Sequence, residues 1–524
     1  MKKKLFSLII CILILSGTYA QVTYQKVYGG EGVESGYDMQ PTSDGGYIIA
    51  GQTSSTGAGG TDVYLIKTDA YGDTLWTRAY GDTAHNWAYS VAQAADGGYI
   101  LAGVTRTNGV YTIYAAKTDS SGNLAWSNRY AGGAAAGNGS CALQTSDGGF
   151  AILGFTGNYG AGGNDFILIK TNNAGNVLWA KTYGLSSEDI GTDMKETPDG
   201  GFIITGRILV PGNSMDMGLI KTDSNGNLQW AKAYGSPGFD NSISVALTAD
   251  GGYILAGTSD YFGPNFLYTY LVKTDSSGGL LWSRIFSADA TNEDAGYSVG
   301  QASDGGYFIT GYTGNVLGDL GYMSLIRTDS SGNLQWFRAY GGNSGETGFA
   351  VHQNADGGFV IAGHSFSYPL LNFNAYFVKT DPNGISGCND YTGLMTQATP
   401  ATNTYVPAIM VTSPTIPSAP VIVSASTGST IFPLCLITNM VEAAAKEISL
   451  FPNPFTAQAT ITFKREINNA TLHLYNLYGQ MILEKSNING ESVQLNRGNL
   501  LSGVYLYEVI EKGKKIYTGK AVVY

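Results

Sequence analysis

The chain has 524 residues, of which 13% are charged, 72 are glycine and 35 are tyrosine. Charged residues usually make up about a quarter of a soluble domain, so this composition favours an extracellular β-rich protein over a cytosolic enzyme. Between residues 5 and 445 the chain holds 17 Lys and Arg against 34 Asp and Glu, which leaves no basic surface for nucleic acid.

Residues 1–20 predict a secretory signal peptide. Three lysines at positions 2–4 precede an apolar run from Leu5 to Leu15, and Thr18 and Ala20 supply small side chains before the predicted cleavage point. The apolar run is shorter than the roughly 20 residues needed to cross a bilayer. No later stretch is long enough either, so we expect no membrane-spanning segment in the mature protein.

A phrase containing Asp-Gly-Gly recurs seven times at intervals of 51 to 54 residues. Its aspartates are Asp44, Asp96, Asp147, Asp199, Asp250, Asp304 and Asp356. A period of this length is typical of propellers and solenoids.

Each repeat predicts four short strands. Asp-Gly supplies the positive φ angles of a tight hairpin, and a second phrase, such as "KTDAYGDTLW" at 67–76, supplies a longer turn. The strand at 47–50 is apolar on both faces, as expected for sheets that pack against neighbours on both sides. We therefore predict an all-β fold with a seven-bladed β-propeller over residues 22–388.

The two ends of the repeat region complement each other. In the seventh repeat Cys388 stands where the six earlier repeats have Trp, and "TYQKVYGG" at 23–30 aligns with "LWTRAYGD" at 75–82. The N-terminal strand is thus predicted to supply the outer strand of the last blade and to close the ring, which removes an exposed sheet edge.

The "DSSGNLQW" segments resemble the propeller repeats of quinoproteins, and the period with its double Gly resembles kelch repeats. Both resemblances imply a fold and no function. The Lys of the second phrase and the Trp are nine residues apart, as in Lys67 and Trp76. We expect these two to be cross-strand partners, with the ammonium near the indole ring.

The recurring turns are expected on one rim of the ring and the variable loops on the other, where ligand specificity usually resides. Polar residues begin the blades on the variable rim: Glu34, Asn86, Asp189, Asp240, Asp294 and Glu346. They are candidates for a ligand-binding ring at the channel mouth, which could hold a divalent cation such as calcium. The alternative is that each caps its own loop by accepting backbone N–H bonds.

No catalytic motif is assembled. The four histidines, His85, His352, His364 and His473, share no metal-ligand spacing, so no cofactor is predicted. The leading hypothesis is a secreted or surface-displayed binding and adhesion protein for an extracellular glycan or protein. The alternatives are a polysaccharide hydrolase or lyase using carboxylates such as Asp189, Asp240 and Asp294, and a structural surface-layer component.

Residues 389–445 break the repeat and are rich in Thr, Pro, Ser, Ala and Val. A disulfide between Cys388 and Cys435 is predicted, because an exported chain meets an oxidising environment, and Cys141 is expected to be a buried free thiol. The segment either folds back in extended form against the propeller or forms a flexible stalk.

Residues 446–524 have alternating strands such as "ATLHLYNLYG" and "GVYLYEV", which predict a small antiparallel sandwich. This segment resembles the type A C-terminal sorting domain of the type IX secretion system of Bacteroidetes. The matching residues are Pro452, Asn453, Pro454, Gly479, Gly503 and Lys520.

The resemblance implies passage through the periplasm, an outer-membrane translocon and its processing machinery as partners, and release or attachment at the cell surface. An accessory immunoglobulin-like domain is the alternative.

Overall fold

The computed structural model describes residues 22–523 except 131–136, 211–213, 289–291, 315–320, 369–371, 414–417, 421–423, 427–429, 439–447, 453–454, 476–480, 499, 501–502 and 513. All regular elements in this part are strands. The predicted signal peptide and the sorting residues Asn453, Pro454 and Gly479 lie outside it.

Strand β1 (Val22–Gly29) is followed by repeats of antiparallel strands. The first three repeats contain β2 (Glu34–Pro41), β3 (Tyr47–Thr53), β4 (Asp62–Thr68), β5 (Thr74–Gly81), β6 (His85–Gln93), β7 (Tyr99–Thr107), β8 (Val110–Thr118), β9 (Leu124–Tyr130), β10 (Gly137–Gln144), β11 (Phe150–Thr156), β12 (Asp165–Thr171) and β13 (Val177–Gly184). The next three contain β14 (Asp189–Glu196), β15 (Phe202–Leu209), β16 (Met215–Thr222), β17 (Leu228–Gly235), β18 (Asp240–Leu247), β19 (Tyr253–Ser259), β20 (Tyr268–Thr274), β21 (Leu280–Ser287), β22 (Asp294–Gln301), β23 (Tyr307–Thr313), β24 (Tyr322–Thr328) and β25 (Leu334–Tyr340). The seventh contains β26 (Glu346–Gln353), β27 (Phe359–Ser365) and β28 (Asn374–Lys379).

These strands form a β-propeller, as the repeat predicts. The described strands of the repeats make seven sheets, numbered here as blades 1 to 7 in chain order. In blade 7, β1 pairs with β28, with Tyr24 opposite Lys379. The prediction that the N-terminal strand closes the ring is therefore confirmed.

The segment after the repeats forms a belt around the outside of the ring. Its strands are β29 (Asp390–Tyr391), β30 (Thr396–Ala398), β31 (Asn403–Tyr405), β32 (Met410–Thr412), β33 (Ser418–Pro420), β34 (Ser424–Ser426) and β35 (Thr430–Thr438). They pair in turn with blades 6, 5, 4, 3, 2, 1 and 7. Each blade therefore has five strands and not the four expected, and β1 is the fourth strand of its blade and not the outermost. The fifth strand is favoured because a fourth strand at the sheet edge would otherwise expose a row of unpaired backbone groups.

The Asp-Gly-Gly turn is fixed by hydrogen bonds and by close packing. The amide of Gly46 donates to Asp44 Oδ1 over 3.0 Å, and Gly45 has a φ of 83°. A Cβ on Gly46 would collide with the carbonyl oxygen of Thr68. The first glycine is thus needed for its φ and the second for space.

The predicted register of Lys and Trp is correct, but the predicted target of the ammonium is wrong. Lys67 lies opposite Trp76, yet its Nζ lies 2.9 Å from the carboxylate of Asp44. The guanidinium of Arg78, two residues beyond the Trp, lies over the indole ring at 5.4 Å. The buried lysine turns to the carboxylate because a buried charge needs a charged partner more than an aromatic face.

Neighbouring blades are joined by apolar cores and by tyrosine hydroxyls. In blades 2 and 3, for example, Ile113 and Phe150 belong to one buried cluster. Six tyrosines donate to the carbonyl oxygen of the turn glycine of the next blade over 2.6–2.8 Å: Tyr28, Tyr80, Tyr130, Tyr183, Tyr234 and Tyr340. In blade 5 the equivalent residue is Phe286, which has no hydroxyl.

The C-terminal domain contains β36 (Ile448–Phe451), β37 (Gln458–Tyr475), β38 (Met481–Asn496), β39 (Gly503–Glu511) and β40 (Lys514–Val523). The sequence predicted a small antiparallel sandwich, and the described residues form an all-β domain whose five strands are joined by antiparallel pairing. The long strand β37 connects them, because it pairs with β36, β38 and β39. Phe455, Ile461, Leu472 and Val509 belong to its core.

Candidate ligand-binding channel

The six polar residues predicted to form a ring at the channel mouth lie at the start of the inner strands, and their exposure is at most 1%. Glu34 accepts the amide of Gly30 over 2.8 Å, and Asp189 accepts that of Leu185 over 2.6 Å. The same kind of bond to the preceding loop is made by Asp240, Asp294 and Glu346, while Asn86 donates to Asp82. None of the six lines the channel described below. Their role as ligand-binding residues stays a prediction.

A central channel of about 680 Å³ runs along the inner strands of all seven blades. Its shape depends on a β-bulge in each of these strands. In β2, for example, Gly36 and Asp38 have consecutive partners on β3, so Tyr37 between them is unpaired. A bulge redirects the extra residue, and in every blade that residue lines the channel: Tyr37, Tyr89, Ser140, Thr192, Ile243, Tyr297 and Phe349.

The bulge residues make the channel asymmetric. Four of them form a continuous aromatic arc across blades 6, 7, 1 and 2. Ring centroids are 5.2 Å apart for Tyr297 and Phe349, 5.5 Å for Phe349 and Tyr37, and 5.3 Å for Tyr37 and Tyr89. The facing arc, from blades 3 to 5, carries Ser140, Thr192 and Ile243. One wall of the channel is thus aromatic, whereas the other mixes polar residues such as Ser140 and Thr192 with apolar ones such as Phe155 and Ile190.

In five of the seven blades the residue after the bulge accepts a backbone amide of the next blade. Asp38 Oδ2 accepts the amide of Val91 over 2.8 Å, and Asp193 Oδ2 accepts that of Val245 over 3.0 Å. Serines take this role between blades 2 and 3, 5 and 6, and 6 and 7. Because a bulge disrupts the ladder, amides inside the channel need side-chain acceptors. These two aspartates therefore have a structural task.

Charged groups gather around Asp193. Lys195 Nζ lies 2.7 Å from Asp193 Oδ1, and the Cys141 thiol donates to the same oxygen over 3.5 Å. Burial raises the pKa of Cys141 to about 12, and burial together with Lys195 lowers the pKa of His352 to about 4. At neutral pH this part of the channel thus holds a thiol, a neutral imidazole and an ion pair.

The carboxyl group of Asp38 is strongly perturbed. Burial raises its pKa to about 7, against the opposing effect of the amides of Val91 and Met39. Among the described residues, no three His, Cys, Asp or Glu side chains come together as metal ligands.

Sequence reasoning missed the aromatic arc. One sequence pattern could have revealed it. In each inner strand a Gly, Ala or Ser precedes the bulge residue, and in four repeats that bulge residue is aromatic. The sorting residues are only partly described: Pro452 is exposed, Gly503 begins β39, and Lys520 pairs with Leu506 in the backbone ladder. The backbone of Cys435 lies opposite Gln25, whose Nε2 donates to the carbonyl of Cys388. The side chain of Cys435 is outside the described part, so the bridge stays a prediction.

Comparison with known proteins assigns the C-terminal segment. Residues 449–524 match the family model of the secretion system C-terminal sorting domain. The chain carries a type IX sorting domain. A protein with this domain is exported and is either secreted or attached to the outer-membrane surface. Among the described residues there is no helix that could span a bilayer.

An endo-acting ulvan lyase of Formosa agariphila is 36% identical over 80 residues, which is 15% of this chain and 15% of that enzyme. Sqt1 from Chaetomium thermophilum matches with a TM-score of 0.38 at 11% identity, over 72% of this chain and 90% of that one. PorZ, described as a surface component of the type IX secretion system of Porphyromonas gingivalis, matches with a TM-score of 0.28 at 10% identity, over 92% and 73%. We draw no functional conclusion from similarities this short or this weak.

Proposed function

We propose that the sorting domain delivers a saccharide-binding protein to the cell surface or medium, and that the propeller binds the saccharide in its channel. The observation that carries this proposal is the continuous aromatic arc, which faces a wall that includes the hydroxyl groups of Ser140 and Thr192. Ligand sites are typically concavities of about 300–1,000 Å³ with apolar walls and few polar groups, and the channel volume of about 680 Å³ falls in this range. The apolar face of a sugar ring can pack on Tyr37 and Phe349. Its hydroxyls can donate to the side-chain oxygens of Ser140 and Thr192, whose own protons are bonded to backbone carbonyls.

The test is a glycan array followed by calorimetry on the mature protein. Tyr37→Ala and Phe349→Ala should each weaken binding by about tenfold or more, since aromatic anchors dominate binding energy. Tyr71→Ala is the control, because Tyr71 is an exposed aromatic in a recurring turn. The proposal would be overturned if none of the saccharides binds. It would also be overturned if Tyr37→Ala, Phe349→Ala and the control Tyr71→Ala bind equally well.

The competing hypothesis is that the protein is a polysaccharide hydrolase or lyase that uses the carboxylates of Asp189, Asp240 and Asp294. Their bonds to loop amides favour a stabilising role. Alanine substitutions should then lower the melting temperature and leave any turnover by the folded fraction unchanged. Loss of turnover at an unchanged melting temperature would support the enzyme instead.

A further inference from the structure

Blade 2 departs from the other blades on its variable rim. Its second and third strands, β7 and β8, are each nine residues long and are joined by the two-residue turn Asn108-Gly109, with φ angles of 52° and 82°. Two positive φ angles are typical of a type I′ turn, which continues the twist of its strands. The hairpin therefore extends the regular sheet to its tip, where the other blades have longer loops.

Four side chains form what we call the blade-2 tip: His85, Trp87, Arg106 and Tyr111. Arg106 lies opposite His85 on one side and opposite Tyr111 on the other, so the three share a face of the sheet. The rings of His85 and Trp87 are stacked at 6.0 Å and 9°, and those of Trp87 and Tyr111 at 6.1 Å and 24°. A cavity of about 310 Å³ is lined by His85, Arg106 and the turn residues.

Arg106 lacks the structural partners of other arginines in the propeller. Arg129 and Arg207 bind Asp82 and Glu188, and Arg78 donates to the carbonyl of Ser121. The backbone of Arg106 is paired with its neighbouring strands, but within the described residues its guanidinium makes no hydrogen bond or ion pair. Its guanidinium is exposed and lies over the Tyr111 ring at 5.2 Å. The contact holds the guanidinium in place while its N–H donors stay available.

His85 presents a second donor. Its Nδ1 accepts the amide of Thr61 over 3.3 Å. An imidazole nitrogen that accepts a hydrogen bond carries no proton, so the proton of the neutral ring is on Nε2. The blade-2 tip therefore offers a guanidinium and an imidazole N–H beside a stack of flat rings.

We propose that the blade-2 tip is a second binding site, which takes an acidic saccharide. Arg106 and His85 bind its carboxylate or sulfate group, and its sugar ring packs beside Trp87 and Tyr111. Arginine is suited to this task because its planar fork matches oxyanions. The propeller region is acidic overall, which repels long polyanions, so short oligosaccharides are the expected ligands. The site does not require that the channel bind anything.

Calorimetry on the mature protein tests this proposal with short oligogalacturonates, short sulfated galacto-oligosaccharides and neutral galacto-oligosaccharides of matching length. We expect at least one acidic series to bind more tightly than the neutral one, and the series that binds identifies the anion. Arg106→Gln should weaken that binding about tenfold or more. Arg207→Gln is the matched control, because its guanidinium is already paired with Glu188.

Three results would overturn the proposal: no acidic oligosaccharide binds, the neutral series binds equally well, or Arg106→Gln binds like the control. Tyr37→Ala separates the two sites. Loss of acidic-ligand binding in Arg106→Gln with full binding in Tyr37→Ala supports the blade-2 tip whatever happens in the channel. Loss only in Tyr37→Ala contradicts it and leaves the channel proposal standing.

Discussion

Asp199 and Lys221 form a 2.8 Å ion pair in which the lysine side chain is 7% exposed and the aspartate 53%. The pair joins the Asp-Gly-Gly turn of blade 4 to its third strand, and corresponding pairs occur in the other blades, with Asp356 and Lys379 of blade 7 further apart at 3.9 Å. Hydrogen bonds from Lys221 and Thr197 lower the pKa of Asp199 to about 2. The recurring phrase is therefore a structural joint.

Lys221→Met should destabilise the propeller by about 1 kcal/mol, which is less than is usual for a hydrogen bond to a charged group, because the half-exposed carboxylate stays hydrated. Urea unfolding measures the loss. Lys232→Met is the control, since Lys232 lies half-buried on the next strand. Equal stability of the two variants would show that the joint contributes nothing.

Asp38→Asn should change how stability depends on pH between about 4 and 7. The pKa of Asp38 is about 7 when folded and about 3.9 when unfolded, so the folded state holds the proton more tightly. The contribution of Asp38 to stability therefore falls as the pH rises through this window. The free energy of unfolding of the wild type, relative to the variant, should drop by about 1 kcal/mol or more, allowing for solvent in the channel.

Asp44→Asn is the opposite-sign control for that experiment. The pKa of Asp44 is lowered to about 2, because hydrogen bonds from Lys67, Thr42 and Gly46 outweigh burial. Its contribution is present above about pH 4 and is lost as the pH falls towards 2. If the free energies of unfolding of the wild type and of Asp38→Asn change in parallel from about pH 4 to 7, the raised pKa does not belong to Asp38.

Phe286→Tyr should stabilise the protein by about 1 kcal/mol, the usual net value of a buried hydrogen bond. The six equivalent tyrosines bond to the next blade, and Phe286 packs in the same buried position. By analogy with these tyrosines, we expect the added hydroxyl to donate to the carbonyl oxygen of Gly332. Tyr234→Phe should lose a similar amount. Thermal unfolding compares the two, and a destabilised Phe286→Tyr would show that blade 5 is spaced differently.

Non-reducing peptide mapping should find Cys388 joined to Cys435. Such a bridge would close the belt into a covalent hoop, since the chain leaves blade 7 after β28 and the last belt strand, β35, returns to that blade. Reduction, or Cys388→Ser, should then speed proteolysis within residues 389–438. Cys141 is the internal control, because the buried thiol, with its pKa near 12, should resist alkylation. Free Cys435 in the unreduced protein would exclude the bridge.

The channel shows why part of the site was beyond sequence reasoning. Glu34 and Asp189 stand out in the repeat as acidic residues, yet their carboxylates accept hydrogen bonds from backbone amides of the loops that precede them. The four residues of the aromatic arc look like ordinary strand residues in the sequence. A bulge that points a side chain towards the channel has little effect on the alternation of apolar and polar residues along a strand.

The sequence alone determined the period, the two recurring turns, the pairing of Lys67 with Trp76, the closing strand β1 and the sorting domain. These follow from local chemistry, since turn residues set the register of a hairpin and repetition multiplies a weak signal seven times. Only the tertiary structure decided the belt, the aromatic arc and the partner of the lysine ammonium. The belt strands of two or three residues have no pattern of their own and are ordered by the sheet edges they cover, and the arc exists only after distant blades meet around one axis.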